Sequence, residues 1–462
     1  MKKMIALLLA LVMVFALVAC GNPGVEQPSG DPAPSGNTPT DPSKPSEPAK
    51  TGTVQGIDTE KNILWIGNTA ATTGPFAIVG VPFNAALQAT LDWYNANGGY
   101  NGLQVQLKHY DDTFDAALGT TYTKTLVEDD KVFALVGHFG TNTVEATMDY
   151  VKSVGIPTPY IVTGVRSLYA EGLTGKDACY FPIQPIFDAE GRVLLARAVA
   201  PKEGNYGLGG TKIGVIATTD DAGAGLLAGV KRQMQDIDVE VIVQEVDASA
   251  TDYTTAMGVL KNQGCDAVIA AMNQAPVATV MAAMRDINYN VPVITSYVSA
   301  NATFLGGLVA NGSVTAERRI YTTTWLDALS EQGQVDLAEF LEIMTAWEAA
   351  NGIDSTDPSQ SYAASFNSYA MCGYICGKLF IHGLDLVKAQ GVDLTWENYI
   401  AAMETASFHI PMGGDISFAN GDRLGVTSLS MQTVSLEAVD GAYALETLSP
   451  LITLDELMSH IK

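Results

Sequence analysis

Short hydroxyl and amide side chains, set where apolar runs end, are the groups in this chain best suited to hold a small molecule. In the first half, Thr72 and Thr73, Thr141 and Thr143, and Thr163 each follow an apolar run. A hydroxyl beside a helix N-terminus, where backbone amides lack partners, suits a carboxylate or another oxygen-rich group. The alternative role for the same threonines is helix capping alone. The loops of Thr141 and Thr163 hold no Lys or Arg except Arg166, just past the second. That pattern suits one carboxylate or a polar carbonyl rather than a phosphate cluster. In the second half, Asp220, Asp221, Asn273, Gln274 and Tyr297 stand at strand ends and offer acceptors for an ammonium or an amide. The two sets together predict a zwitterionic amino acid or a small amide as ligand.

Catalytic patterns are missing by contrast. The histidines are His109, His138, His382, His409 and His460. None stands in H-E-x-x-H, and neither a Gly-x-Ser-x-Gly elbow nor a phosphate loop occurs. His138 alone lies on a strand-end loop, beside Thr141, and a His–Thr pair without an orienting acid is poor machinery for nucleophilic attack. The expectation is a protein that is not an enzyme, with an extracytoplasmic hydrolase as the catalytic alternative. No cofactor and no metal are expected. Cys372 and Cys376 are four apart on one helical face, which is neither a zinc spacing nor C-x-x-C. With Cys179 and Cys265 they read as small buried hydrophobes, their disulfide state left open.

The elements that must position these groups alternate regularly. The apolar run 63–66 reads as a buried strand, followed by a small-residue loop turning at Gly74-Pro75. Phe83, Leu87, Leu91 and Tyr94 recur at helical spacing, and Asn97-Gly98-Gly99 stops that helix. Leu103, Val105 and Leu107 alternate with polar residues, giving a second strand. This β-α-β unit places its first loop at a strand's carboxyl end, where open parallel sheets bind ligands. A helix over 116–127, capped by Asp115, a strand over 132–136 and a strand over 157–161 continue the pattern. Asn142 and Glu145 have capping-box spacing, which predicts a helix starting there. After 181–185 the alternation begins again: helix 190–199, strands 212–217, 239–243, 267–270 and 291–295, and helix 253–260. The fold class is therefore α/β, with two doubly wound halves and one cleft between them.

Gly74, Pro75, Ala77 and Gly80, then Asn95, Gly98, Gly99 and Gly102, then Tyr110-Asp111-Asp112 resemble the type I periplasmic binding proteins. The nearest branch is the branched-chain amino acid group that serves ABC importers. Ile156-Pro157 to Gly164, Gln184-Pro185 with Ala189 to Arg192, and Asp415 to Phe418 with Arg423-Leu424 extend the resemblance over about 64–434. It implies Rossmann-like lobes joined by a three-strand hinge: 59–184 with 320–414 as the N-terminal lobe, 185–319 with 415–445 as the C-terminal lobe, and 446–462 as a terminal segment. The stretches 320–325 and 361–382 are expected to return to the first lobe. Thr141 falls where the family places the hydroxyl that receives a ligand carboxylate, with Phe139 in the same loop and Thr163-Gly164 on the neighbouring contact strand. Val79 stands where some members have an aromatic wall, with Phe76 as a replacement. Asp221-Ala222-Gly223 replaces a common Asp-Tyr-Gly, and Tyr297 stands near an acidic residue of amino acid binders. Trp325 is expected to line the cleft near the hinge or to join the core. The resemblance implies a small-molecule ligand delivered to an ABC importer permease. A ligand-sensing partner of a membrane receptor is the alternative.

Lys2 and Lys3 precede an uncharged apolar run, too short to span a bilayer and read as a signal peptide over 1–19. Leu17-Val18-Ala19-Cys20 resembles the bacterial lipobox, which implies cleavage before Cys20 and lipid on its thiol. Residues 20–58 are rich in Gly, Pro, Ser, Thr and Asp and are expected to form a disordered tether. The location implied is extracytoplasmic, anchored to the cell membrane by the lipid, with a monomeric folded part. A net charge of −25 opposes nucleic-acid binding.

Overall fold

Two sheets, each built around parallel strands, organise the chain. The computed structural model describes residues 52–327, 329–439 and 441–461; the expected signal peptide, Cys20 and the tether as far as residue 51 lie outside them. In the first sheet, Ile63–Ala70 pairs in parallel with Gln104–Asp111. Its other edge bonds to 132–139, through Phe133 N to Trp65 O at 2.7 Å and Val136 N to Gly67 O at 2.8 Å. That stretch bonds onward to 157–162, which bonds to 179–181. Tyr160, at φ 58°, divides the fourth of these strands in two. The second sheet runs Leu445–Thr447, Ser430–Val434, Ile320–Thr324, Val293–Thr295, Ala267–Ala271, Lys212–Thr218, Glu240–Val246. Its last five strands are parallel, and Ser430–Val434 runs antiparallel to both of its neighbours. The central strands Lys212–Thr218 and Ala267–Ala271 are buried almost throughout rather than alternating, as strands covered by helices on both faces are.

Several local expectations change in three dimensions. Residues 53–58 join the fold rather than the tether: Thr53 N donates to Glu397 at 2.7 Å, and Ile57–Asp58 pairs with the strand at 63–64. Ile320–Thr324 does not return to the first half. Its backbone pairs with Val293–Thr295 and with Ser430–Val434 in the second sheet. Conversely, Asp415 to Val426 stays against the first half. The buried guanidinium of Arg423 donates to the carbonyls of Ala178 and Tyr180 and to Glu404, all in the first half or the helices packed on it. Leu445–Thr447 extends the second sheet, and Leu454–Met458 is a further helix. The expected helical region 361–382 begins instead at Ser368, capped by Asn367, and runs to Gln390. That helix is long and apolar enough to cross a membrane, yet most of it is buried in the protein. It lies against Ala77–Ala96 so closely that a Cβ on Gly373 would sit 2.0 Å from the Phe83 carbonyl.

Candidate ligand-binding site

The carboxyl ends of both sheets face one cavity. About 80 Å³ of it is open to the centre of a water-sized sphere, room for a few waters or a small organic molecule. From the first sheet, the strand His138–Phe139 ends at Gly140, whose φ of 89° and close approach to the Phe114 ring exclude a side chain. The helix Thr141–Val154 starts immediately after it. Thr141 and Thr163 are 5% and 3% exposed, and their hydroxyls meet at 3.0 Å in the cavity wall. The expected capping box is not formed. Asn142 reaches Phe114 O, Glu145 accepts from Ser167, and the helix begins on a glycine with no side-chain cap. Its first-turn amides are therefore left available.

From the second sheet, Asn273 and Gln274 open the helix Gln274–Asp286, again without a side-chain cap. Tyr297 follows Val293–Thr295 in a short 3-10 turn, and its hydroxyl donates to Pro185 O at 3.2 Å. Trp325 continues from Ile320–Thr324 and is 3% exposed. Beneath this wall lies Glu190, fully buried. It accepts from Tyr297 N at 2.7 Å, from Ser296 Oγ at 2.6 Å and from Thr323 Oγ1. Burial pushes its carboxyl up to about 7, against those three hydrogen bonds, which lower it. Glu190 does not line the cavity.

Phe76, Val79, Phe139, Thr141, Thr163, Asn273, Gln274, Tyr297 and Trp325 are thus brought to one cavity. Gly164 and Asp221 are not among its walls. Gly164 instead gives passage: a Cβ there would lie 2.4 Å from Pro185 O and 2.8 Å from the Tyr297 hydroxyl. Asp221 is exposed on the first turn of its helix, while Asp220 is spent on capping, accepting from Gly223 N at 3.0 Å. Thr72 and Thr73 turn to His109 and Asp111, and Thr143 to the buried Asp112. His138 is buried against Thr147 at 2.6 Å, and burial pushes its imidazole down to about 4.

Sequence reasoning missed Phe83, Phe114, Gln184, Phe187, Tyr369 and Cys372, which also face the cavity. Phe114 stacks on Phe76 at 3.9 Å and holds φ at 67°, a left-handed conformation rare for a bulky residue. Its place after Tyr110-Asp111-Asp112 was the available hint. Tyr369 and Cys372 come from a helix more than two hundred residues away from Phe139. Burial pushes the Cys372 thiol up to about 12, so it is not a poised nucleophile. Among the described residues no group of three or more His, Cys, Asp or Glu side chains could hold a metal ion.

A family model described as periplasmic binding protein matches residues 64–440. An amino acid binding protein of Pseudomonas aeruginosa is 27% identical over 209 residues, 44% of this chain and 52% of the relative. The chain thus spans about half the length of that curated relative. Among solved structures, a fatty acid ABC transporter substrate-binding protein from Thermomonospora curvata superposes with a TM-score of 0.71 at 17% identity, covering 89% of this chain and 97% of that one. An ABC transporter solute binding protein from R. palustris, in complex with benzoate, gives 0.64 at 18% identity, covering 85% and 98%. At these identities the likeness is one of fold.

Proposed function

The chain belongs to the periplasmic binding protein family and has its type I fold, and from that premise we propose that it captures a small ligand outside the cytoplasm and delivers it to an ABC importer. The observation that carries this reading is the cavity: residues from both sheets wall it, with the Thr141 and Thr163 hydroxyls together at a helix N-terminus. A carboxylate or carbonyl of the ligand accepts from whichever of those hydroxyls does not donate to the other, and from the uncapped amides. The two sheets belong to two lobes, connected at 182–186, 325–327 and 426–429. Ligand bound by both walls favours their approach, because each half-site alone contacts it incompletely. The names of the solved relatives, both parts of ABC transporters, support delivery to a permease. The lipobox and the polar stretch that follows it support a lipid-anchored form. Among the described residues no nucleophile with an activating base faces the cavity, which favours release of the ligand unchanged.

Calorimetry with the ligand that co-purifies, identified by mass spectrometry, tests this reading. Hydrogen bonds to a charged group contribute about 1.5–3 kcal/mol. Thr141→Ala should therefore weaken binding by roughly 10- to 150-fold, and Thr141→Ser by much less. Unchanged affinity in Thr141→Ala would leave its hydroxyl as a wall group only.

A further inference from the structure

We propose that the cavity selects a small carboxylic acid with an aromatic body and no ammonium group; this rests on reading the cavity as the capture site. Among the described residues its lining contains no Asp, Glu, Lys, Arg or His. The carboxylates carried on neighbouring elements are all engaged elsewhere or turned away. Glu190 is saturated by Ser296, Tyr297 and Thr323, Asp188 pairs with Arg166 at 3.3 Å, and Asp221 faces solvent. Two backbone carbonyls that border the cavity, those of Val298 and Ala300, already accept from Tyr369 and Ser368. An ammonium would be desolvated here without a counter-charge, which is strongly unfavourable.

The field of the walls points the same way. The helices Thr141–Val154 and Gln274–Asp286 begin at the cavity from different sheets. Neither has a side-chain cap or an acidic residue in its first turn. Each helix end carries roughly half a positive charge, so both walls attract an anion and repel a cation. Seven of the other helices among the described residues, by contrast, are capped by Asp, Asn, Ser or Thr side chains. Six aromatic rings, those of Phe76, Phe83, Phe114, Phe139, Tyr297 and Trp325, stand in the walls beside smaller aliphatic side chains. Such rings hold a planar ring by offset or edge-on contact. The amides of Asn273 and Gln274 can then serve a ring substituent such as a hydroxyl.

Calorimetry on the whole mature chain with matched pairs tests the inference. 3-Phenylpropanoate and phenylalanine differ only in the α-ammonium, as do 4-methylpentanoate and leucine; benzoate supplies a shorter aromatic acid. An aromatic acid should bind roughly 10- to 100-fold tighter than phenylalanine, and tighter than 4-methylpentanoate. Phenylalanine or leucine binding as tightly as its deaminated analogue overturns the inference. So does failure of both aromatic acids while a sugar, peptide or other small molecule binds, an outcome that leaves capture itself standing. Only the absence of any small-molecule ligand, co-purified or added, removes the capture reading along with it.

Discussion

Glu190 shows how a residue outside the cavity controls its shape. One buried carboxylate joins the helix Phe187–Val199 to Tyr297 and to Thr323, two residues before Trp325. Burial first, and the Glu190 charge after it, push the Tyr169 and Tyr297 hydroxyls upward. Its folded value of about 7 lies above the ordinary 4.5, so the folded state holds this proton more tightly than the unfolded one. The stabilisation from that proton is complete below about pH 4.5 and is lost as pH rises to 7. Glu190→Gln removes the titration. Chemical denaturation at several pH values should show wild type losing on the order of 3 kcal/mol relative to Glu190→Gln across that window. Parallel profiles for the two proteins would mean that folding does not raise this carboxyl above its ordinary value. His138 has the opposite sign: its lowered imidazole contributes stability above pH 6.5 that is lost as pH falls towards 4.

At the scale of elements, the site depends on close approach between helices. The helix Ser368–Gln390 brings Tyr369 and Cys372 to the cavity, and Ala77–Ala96 brings Val79 and Phe83. Gly373 lets the two backbones meet. Gly373→Ala places a methyl against a carbonyl, and such overpacking costs roughly 1–3 kcal/mol. The melting temperature should fall, and ligand affinity with it. Gly258, in Thr254–Asn262, has open space where its Cβ would be, so Gly258→Ala should instead stabilise by about 0.4–1 kcal/mol. Equal effects at both positions would show that helix propensity, not packing, governs Gly373.

For the whole molecule, a cavity walled by two sheets predicts a shape that responds to ligand. Solution scattering should give a smaller radius of gyration at saturation than in the ligand-free protein; superimposable profiles would argue against closing lobes. Anchoring is separable from capture. Cys20→Ala should release the protein to the medium or leave it unprocessed, while ligand binding in the isolated protein stays unchanged. A Cys20→Ala protein that is cleaved and still membrane-bound would refute lipid attachment at this thiol.

The sequence by itself determined the local order of this protein. Alternating and helical periodicities place strands and helices because burial of one face is a property of neighbouring residues. Asp115 caps its helix as its position requires, and Thr141, Thr163, Asn273, Gln274 and Tyr297 stand at strand ends, the edge of each sheet that borders the cavity. Only the tertiary structure decided which strand joins which sheet, and what the ligand meets. Ile320–Thr324 pairs by backbone hydrogen bonds that any β-branched run can make, so its partner is chosen by the chain's path. Asp221 lies at the right loop and still faces water, because the rotation of its helix is set by the packing of Leu226, Leu227 and Val230. Phe114 enters the cavity through a left-handed turn held by its surroundings, and Tyr369 through a helix remote in sequence. These contacts join residues far apart along the chain, and no local pattern of residue types encodes a distance across the fold.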